Sequence, residues 1–218
     1  MLLTSSTIIQ DIWTMRQTKT ANLAFFYFDY RDAAKQEARN FLSSLLVQLS
    51  NQSDRFCDVL SILFISHDCG SRQPGEDELL QCLRDMISQE ESPVYIIVDA
   101  LDECPESHDS AGLASPRAEV LEVIQGLVGM SPRLYLCIAS RPEMDIRRVF
   151  EPLTGQTVSL DKQNGQHRDI AEYIDFVVNS DSRMEEWPDE DQKLVIKKLK
   201  KDCSGMYAAT FMIFSSIF

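Results

Sequence analysis

The 218-residue sequence has no C-x-x-C pair and no dense cysteine framework; its six cysteines, Cys57, Cys69, Cys82, Cys104, Cys137 and Cys203, stand far apart. Such spacing excludes a disulfide scaffold and points to the reduced thiols of a cytoplasmic protein. A basic excess is also missing. Lys and Arg number 21 against 34 Asp and Glu, a formal net charge of -13. Nucleic acids are bound by clustered Lys and Arg that release counterions, so this balance argues against a DNA or RNA partner. The final apolar run, Met206 to Phe218, is too short to cross a bilayer and contains Thr210, Ser215 and Ser216. Met1 to Thr20 carries Asp11 and Arg16 in an amphipathic pattern, not a charged segment followed by an apolar one, so no secretory signal is read there. Internal repeats and a G-x-S-x-G nucleophile setting are likewise absent.

What is present is enough to build a core. At 44% hydrophobic residues the chain supports one domain, or one plus part of another. Its centre is Pro93 to Cys104, P-V-Y-I-I-V-D-A-L-D-E-C. A run of β-formers opened by proline and closed by acids reads as a buried strand that delivers carboxylates to the sheet's edge. Unpaired carboxylates at the mouth of an apolar sheet are costly to desolvate, so they commonly meet water, a cation or a cationic side chain.

Around that strand the periodicity alternates. Leu2, Leu3, Ile8, Ile9, Ile12 and Met15 predict a helix from Met1 to about Lys19, and Leu23 to Asp29 a strand. Helices follow over Asp32 to Ser50, Asp54 to Ser66 and from Glu76, the last with Glu76, Asp77 and Glu78 in its first turn. After the central strand comes a polar loop, Cys104 to Pro116. A helix through Val120 to Val128 follows, which Ser131-Pro132 is expected to end. Leu134 to Ala139 is a third strand closing on Ser140-Arg141-Pro142, Ile146 to Phe150 a short helix, and Thr157 to Leu160 a fourth strand. Beyond residue 162 only helical patterns remain. The expected organisation is an α/β part over residues 1–162, with parallel βαβ units and helices on both faces, and a helical extension over 163–218.

In an open parallel sheet ligands sit beyond the carboxyl ends of the strands, where Asp99 and Ser140-Arg141 then lie. In phosphoryl transfer an acid in the position of Asp99 meets Mg2+, and Asp102 or Glu103 orients or deprotonates the attacking water. Arg141 offers two parallel donors to a phosphate; the alternative is a salt bridge to a nearby acid. For the carboxylates the alternative is a solvated strand end.

Other features read as ordinary. His67 and His167 lack evident partners and are expected to face solvent, and Cys104 with His108 falls short of a four-ligand zinc site. Phe25, Phe26 and Phe28 read as core. The lysines Lys193 to Lys201 follow acids at Glu185 to Asp191, an order that suits a helix dipole.

The series A-x-L-A-F-F-Y-F-D-Y-R-D, V-Y-I-I-V-D-A-L-D-E-C, L-C-I-A-S-R-P-E and C-S-G-M-Y resembles the NACHT domains of STAND-class P-loop NTPases. It is most similar to the nephrocystin-like modules of fungal NLR-like ankyrin- and WD-repeat proteins. The resemblance runs from Met1 to about Ala209. It implies a nucleotide-dependent signalling switch, with Mg2+ and ATP or GTP as cofactors and oligomerisation with partners of the same type. Asp99 falls at the Walker B metal position, Asp102 and Glu103 at the catalytic acids, and Ser140 and Arg141 at the sensor that meets nucleotide.

One part of that machine is missing. No G-x-x-x-x-G-K-[ST] occurs in the sequence, so nothing supplies the backbone N–H cradle, the lysine and the Mg2+-binding hydroxyl of a phosphate loop. The resemblance places that loop just ahead of the helix at Leu2 to Lys19. It also places the missing first strand between the sensor strand and the last one, which would leave Leu134 to Ala139 to pair with Thr157 to Leu160 or with a strand from outside. The expectation is a truncated module that neither binds nor hydrolyses nucleotide alone. Two alternatives stand beside it: a non-catalytic decoy or adaptor that binds other STAND proteins, and a fragment of a complete switch.

Overall fold

The computed structural model describes residues 2–106, 115–153, 171–172, 174–176, 178–180 and 187–202. Three strands, β1 (Asn22–Tyr27), β2 (Val94–Asp99) and β3 (Leu134–Ile138), form a parallel sheet in that order. Register aligns Tyr27 with Asp99 and Val98 with Ile138, so the three strands end together at one carboxyl edge. The expected fourth strand, Thr157 to Leu160, lies outside the described residues.

Alternate strand residues face opposite ways, as the pleat requires. Ala24, Phe26, Val94, Ile96 and Val98 enter the larger core. That core is roofed by α2 (Ala38–Ser50), α3 (Asp54–Ser66), α4 (Glu76–Gln89), α5 (Pro116–Leu127) and α6 (Met144–Phe150). Leu23 and Ile97 face the other way, against Ile12 of α1 (Leu2–Gln17). Helices therefore cover both faces, as the alternating periodicity implied.

Two boundaries differ from expectation. The segment expected as one helix from Asp32 divides: the Asp32 carboxylate accepts from the Ala34 N–H to cap a 3-10 turn at Ala33–Lys35, Glu37 is extended, and α2 begins at Ala38. α5 stops at Leu127, ahead of Ser131-Pro132, where Gly129 takes φ 75° and turns the chain.

The outer edge of β1 is closed without a strand. Gln52 accepts from the Leu23 N–H at 2.9 Å and donates to the Leu23 carbonyl at 2.6 Å. One helical turn earlier, Gln48 does the same for Phe25 at 3.0 and 2.8 Å. Two amides at i and i+4 thus stand in for a neighbouring strand and satisfy backbone groups that an open edge would leave unpaired.

The chain divides into two compact units, Met1–Thr154 and Gly155–Phe218. In the second, α7 (residues Asp189–Asp202) begins with Asp189, Glu190 and Asp191 and buries Leu199. Lys200 of α7 pairs with Asp175 at 2.8 Å. Among the described residues no helix is long and apolar enough to cross a membrane.

Candidate functional site

The carboxyl edge of the sheet gathers the sequence-predicted residues. The Ala139 N–H donates to the Val98 carbonyl at 2.8 Å, the Leu101 N–H to the Ala139 carbonyl at 3.3 Å, and the Phe28 N–H to the Asp99 carbonyl at 3.1 Å. These bonds splice the turn after β2 onto the ends of both neighbouring strands. Ala100 adopts φ 54°, ψ 41°, a left-handed conformation that costs a non-glycine residue about 1–2 kcal/mol. It folds the chain at once into the 3-10 turn Leu101–Glu103.

Asp99 is 1% exposed. Its Oδ1 accepts from the Ala100 N–H at 3.0 Å, while Oδ2 is buried and has no hydrogen-bond partner. A buried carboxylate oxygen without a donor is expensive, and a cation is the ordinary remedy. Among the described residues no three His, Cys, Asp or Glu side chains converge as a metal cage. The single orphaned oxygen would suit an ion such as Mg2+, which takes one or two carboxylates and fills its shell with water and phosphate oxygens.

The other predicted residues separate. Asp102 and Arg141 meet: the Arg141 N–H donates to Asp102 Oδ1 at 2.9 Å and its Nε lies 3.4 Å from Oδ2. Glu103 turns toward β1 instead, where its Oε2 accepts from the Tyr30 N–H at 3.3 Å. Ser140 donates locally to the Arg141 carbonyl at 2.8 Å. Next to Glu103, the Arg31 guanidinium grips Asp29 through both carboxylate oxygens and holds its pKa down to about 2.

α1 brings a second feature toward this edge. It packs on β1 and β2 and reverses into β1 through a short turn at Lys19, whose φ is 56°. A 16-residue helix is about 24 Å long and a six-residue strand about 20 Å. Its N-terminal turn is thereby directed to the edge where the acids stand.

Arg117 escaped the sequence reading. It is 7% exposed and donates from Nε to the Cys104 carbonyl at 2.7 Å and from Nη2 to the Asp102 carbonyl at 2.8 Å. Its Nη1 pairs with Asp145 of α6 at 3.2 Å. One guanidinium thus fixes the backbone of the acidic turn and ties it to α5 and α6. The signal was available: Arg117 shares a helical stripe with Val120, Leu121 and Ile124, where a charge is out of place unless partnered.

His67 corrects an expectation. It is 3% exposed, not solvent-facing, and lies between the Leu63 carbonyl at 2.9 Å and Glu78 Oε2 at 3.1 Å. Its partner lies 11 residues away on another helix, beyond the reach of local pattern. Cys104 is buried and donates to the Gln36 carbonyl at 3.3 Å, and burial pushes its thiol up to about 12, so it is no ready ligand. His108 and His167 fall outside the described residues. Phe26 and Phe28 are core, as expected.

No curated protein matches the chain. A solved structure that matches is "Structure of Drosophila ORC bound to AT-rich DNA and Cdc6", with 12% identity over 89% of this chain and 74% of that chain. Its TM-score of 0.27 is too low to carry an argument. The family model described as Nephrocystin 3, N-terminal matches residues 3–141, which hold all three described strands and Asp99, Asp102, Glu103, Ser140 and Arg141. The chain belongs to the Nephrocystin 3 N-terminal family.

Proposed function

We propose that this chain is the metal and sensor side of a NACHT-type nucleotide-binding module in a STAND signalling protein. The orphaned Oδ2 of Asp99 supports the reading, because a buried, unpartnered carboxylate at the carboxyl edge of a parallel sheet would suit Mg2+. Bound Mg2+ and ATP or GTP would supply the phosphate oxygens and the charge that such a switch responds to. Asp99 would hold the ion, Glu103 and Asp102 would orient water, and Arg141, 64% exposed in its side chain, would offer its guanidinium to phosphate. Residues 1–162 would form the core of the module and 163–218 its helical extension.

Because these 218 residues contain no G-x-x-x-x-G-K-[ST], the acids alone would repel phosphate. A second reading is a non-catalytic module that binds other STAND proteins, and a third is a fragment of a complete switch. Calorimetry separates the first two. The chain as given is expected to show no binding of Mg-ATP or Mg-GTP. Adding a strand and a G-x-x-x-x-G-K-T loop ahead of Leu2 should confer micromolar affinity that Asp99→Asn weakens at least about tenfold. Micromolar binding by the unextended chain would refute the need for that loop, and an extended chain that folds yet does not bind would favour the interaction module.

A further inference from the structure

We infer that the groove between α3 and α4 is a docking site for a basic amphipathic helix of a partner protein. The two helices run antiparallel, clasped at one end by Arg55 donating to the Gln89 carbonyl at 3.2 Å and at the other by His67 and Glu78. Between them lies a groove of about 410 Å³. Its α3 wall is apolar, formed by Val59, Ile62 and Leu63. Ile62 is 68% exposed, and Ile65, three residues on along α3, 66%. Its α4 wall carries Asp77, Gln81 and Asp85, one turn apart along a single exposed line.

The two walls specify the occupant. An exposed isoleucine above a floor of buried Val59 and half-buried Leu63, beside two exposed aspartates of which Asp85 accepts from Gln81 at 2.8 Å, matches a helix with Leu, Ile or Phe at i, i+3 or i+4, and i+7, and Lys or Arg on one flank. Asp77 and Asp85 are eight residues apart, about 12 Å along the axis, so the cations should recur about two turns apart. Helical walls present ridges and grooves that accept another helix at about 8–10 Å. Neither wall offers an open strand edge for an extended peptide. Glu78 takes little part, because its carboxylate is occupied by the Gly75 N–H at 2.7 Å and by His67.

Among the described residues, the basic helix of a second copy fits poorly. That helix, α7, exposes one large apolar residue, Leu194, among Lys193, Lys197 and Lys198, while Leu199 is buried. One anchor does not make the stripe that the α3 wall requires.

The test uses two synthetic peptides of roughly 14 residues, each with Leu at i, i+3 and i+7. One carries Lys along a flank and the other carries Glu there. Fluorescence anisotropy should show the Lys peptide binding with an affinity that falls as salt rises. Ile62→Glu should weaken it about tenfold or more, and so should Asp77→Lys combined with Asp85→Lys. The Glu peptide should ignore the native chain and bind the double-lysine variant. All three positions are exposed, and an unchanged urea midpoint verifies that each variant is folded. Failure of the Lys peptide to bind, or binding indifferent to both variants, would overturn the proposal. So would a concentration-dependent dimer abolished by Ile62→Glu, which would seat a second copy in the groove.

Discussion

Asp102 and Arg141, 39 residues apart in sequence, hold one another across the carboxyl edge of the sheet, backbone N–H to Oδ1 at 2.9 Å and Nε to Oδ2 at 3.4 Å. The partners are unequally placed: the Asp102 side chain is 7% exposed and that of Arg141 64%. Arg141→Ala keeps the backbone hydrogen bond and removes a mostly hydrated charge, so it should cost no more than about 1 kcal/mol. Asp102→Ala strips the acceptor from a backbone N–H and should cost about 1–3 kcal/mol. Urea denaturation of both variants and the double variant gives the coupling; equal losses would contradict the asymmetry.

Arg117 should matter more than any residue of the acidic turn. Replacing it with Met leaves the Cys104 and Asp102 carbonyls without their donor and Asp145 without its cation. Asp145 keeps a side chain 28% exposed, so the expected loss, mostly from the two stranded carbonyls, is about 2–4 kcal/mol. Arg117→Lys keeps the charge without the fork and should fall between. A midpoint for Arg117→Met within error of the native chain would show the network to be incidental.

At Ala100 the direction reverses. Its φ of 54° is free of penalty only for glycine, so Ala100→Gly should stabilise the fold by about 1 kcal/mol. Ala100→Val should destabilise it, since a β-branched side chain tolerates that region least. Thermal melts of the pair check the sign.

Gln48→Leu and Gln52→Leu should each cost about 1–3 kcal/mol by removing partners from the β1 backbone. The double variant should also aggregate, having an uncovered strand edge. Light scattering beside the denaturation curve reads both effects, and a double variant that stays monodisperse would mean the edge is otherwise protected.

Glu78 predicts a pH dependence. Its carboxyl is held below the ordinary 4.5, chiefly by the Gly75 N–H and then by His67. A depressed carboxylate stabilises the fold fully above its unfolded value and loses that contribution as pH falls through the folded value. Stability should therefore decline as pH drops below about 4.5 toward that lower value. Glu78→Gln should flatten that part of the profile, and unchanged slopes would remove the carboxylate from the account.

Element types were largely legible in the sequence because periodicity is local. The stripe of Phe41, Leu42, Leu45, Leu46 and Leu49 marks α2 through contacts within four residues, and V-Y-I-I-V-D marks a strand by its branched residues and its length. The end of α5 was misjudged because Gly129 turns the chain before Pro132 can act. The start of α2 was misjudged because the Asp32 cap competes with helix.

By itself the sequence determined a parallel α/β sheet and the delivery of Asp99, Asp102, Glu103 and Arg141 to its carboxyl edge, since alternation of strand and helix dictates both. Only the tertiary structure decided their partners: Asp102 with Arg141, Glu103 with the Tyr30 N–H, Asp99 Oδ2 with nothing. It also decided that Arg117 and His67 are buried and that Gln48 and Gln52 close the edge of β1. The physical reason is range. A residue's own segment fixes its φ, ψ and face within a turn or two, but hydrogen bonds spanning 11 to 73 residues exist only after the sheet has brought distant segments together.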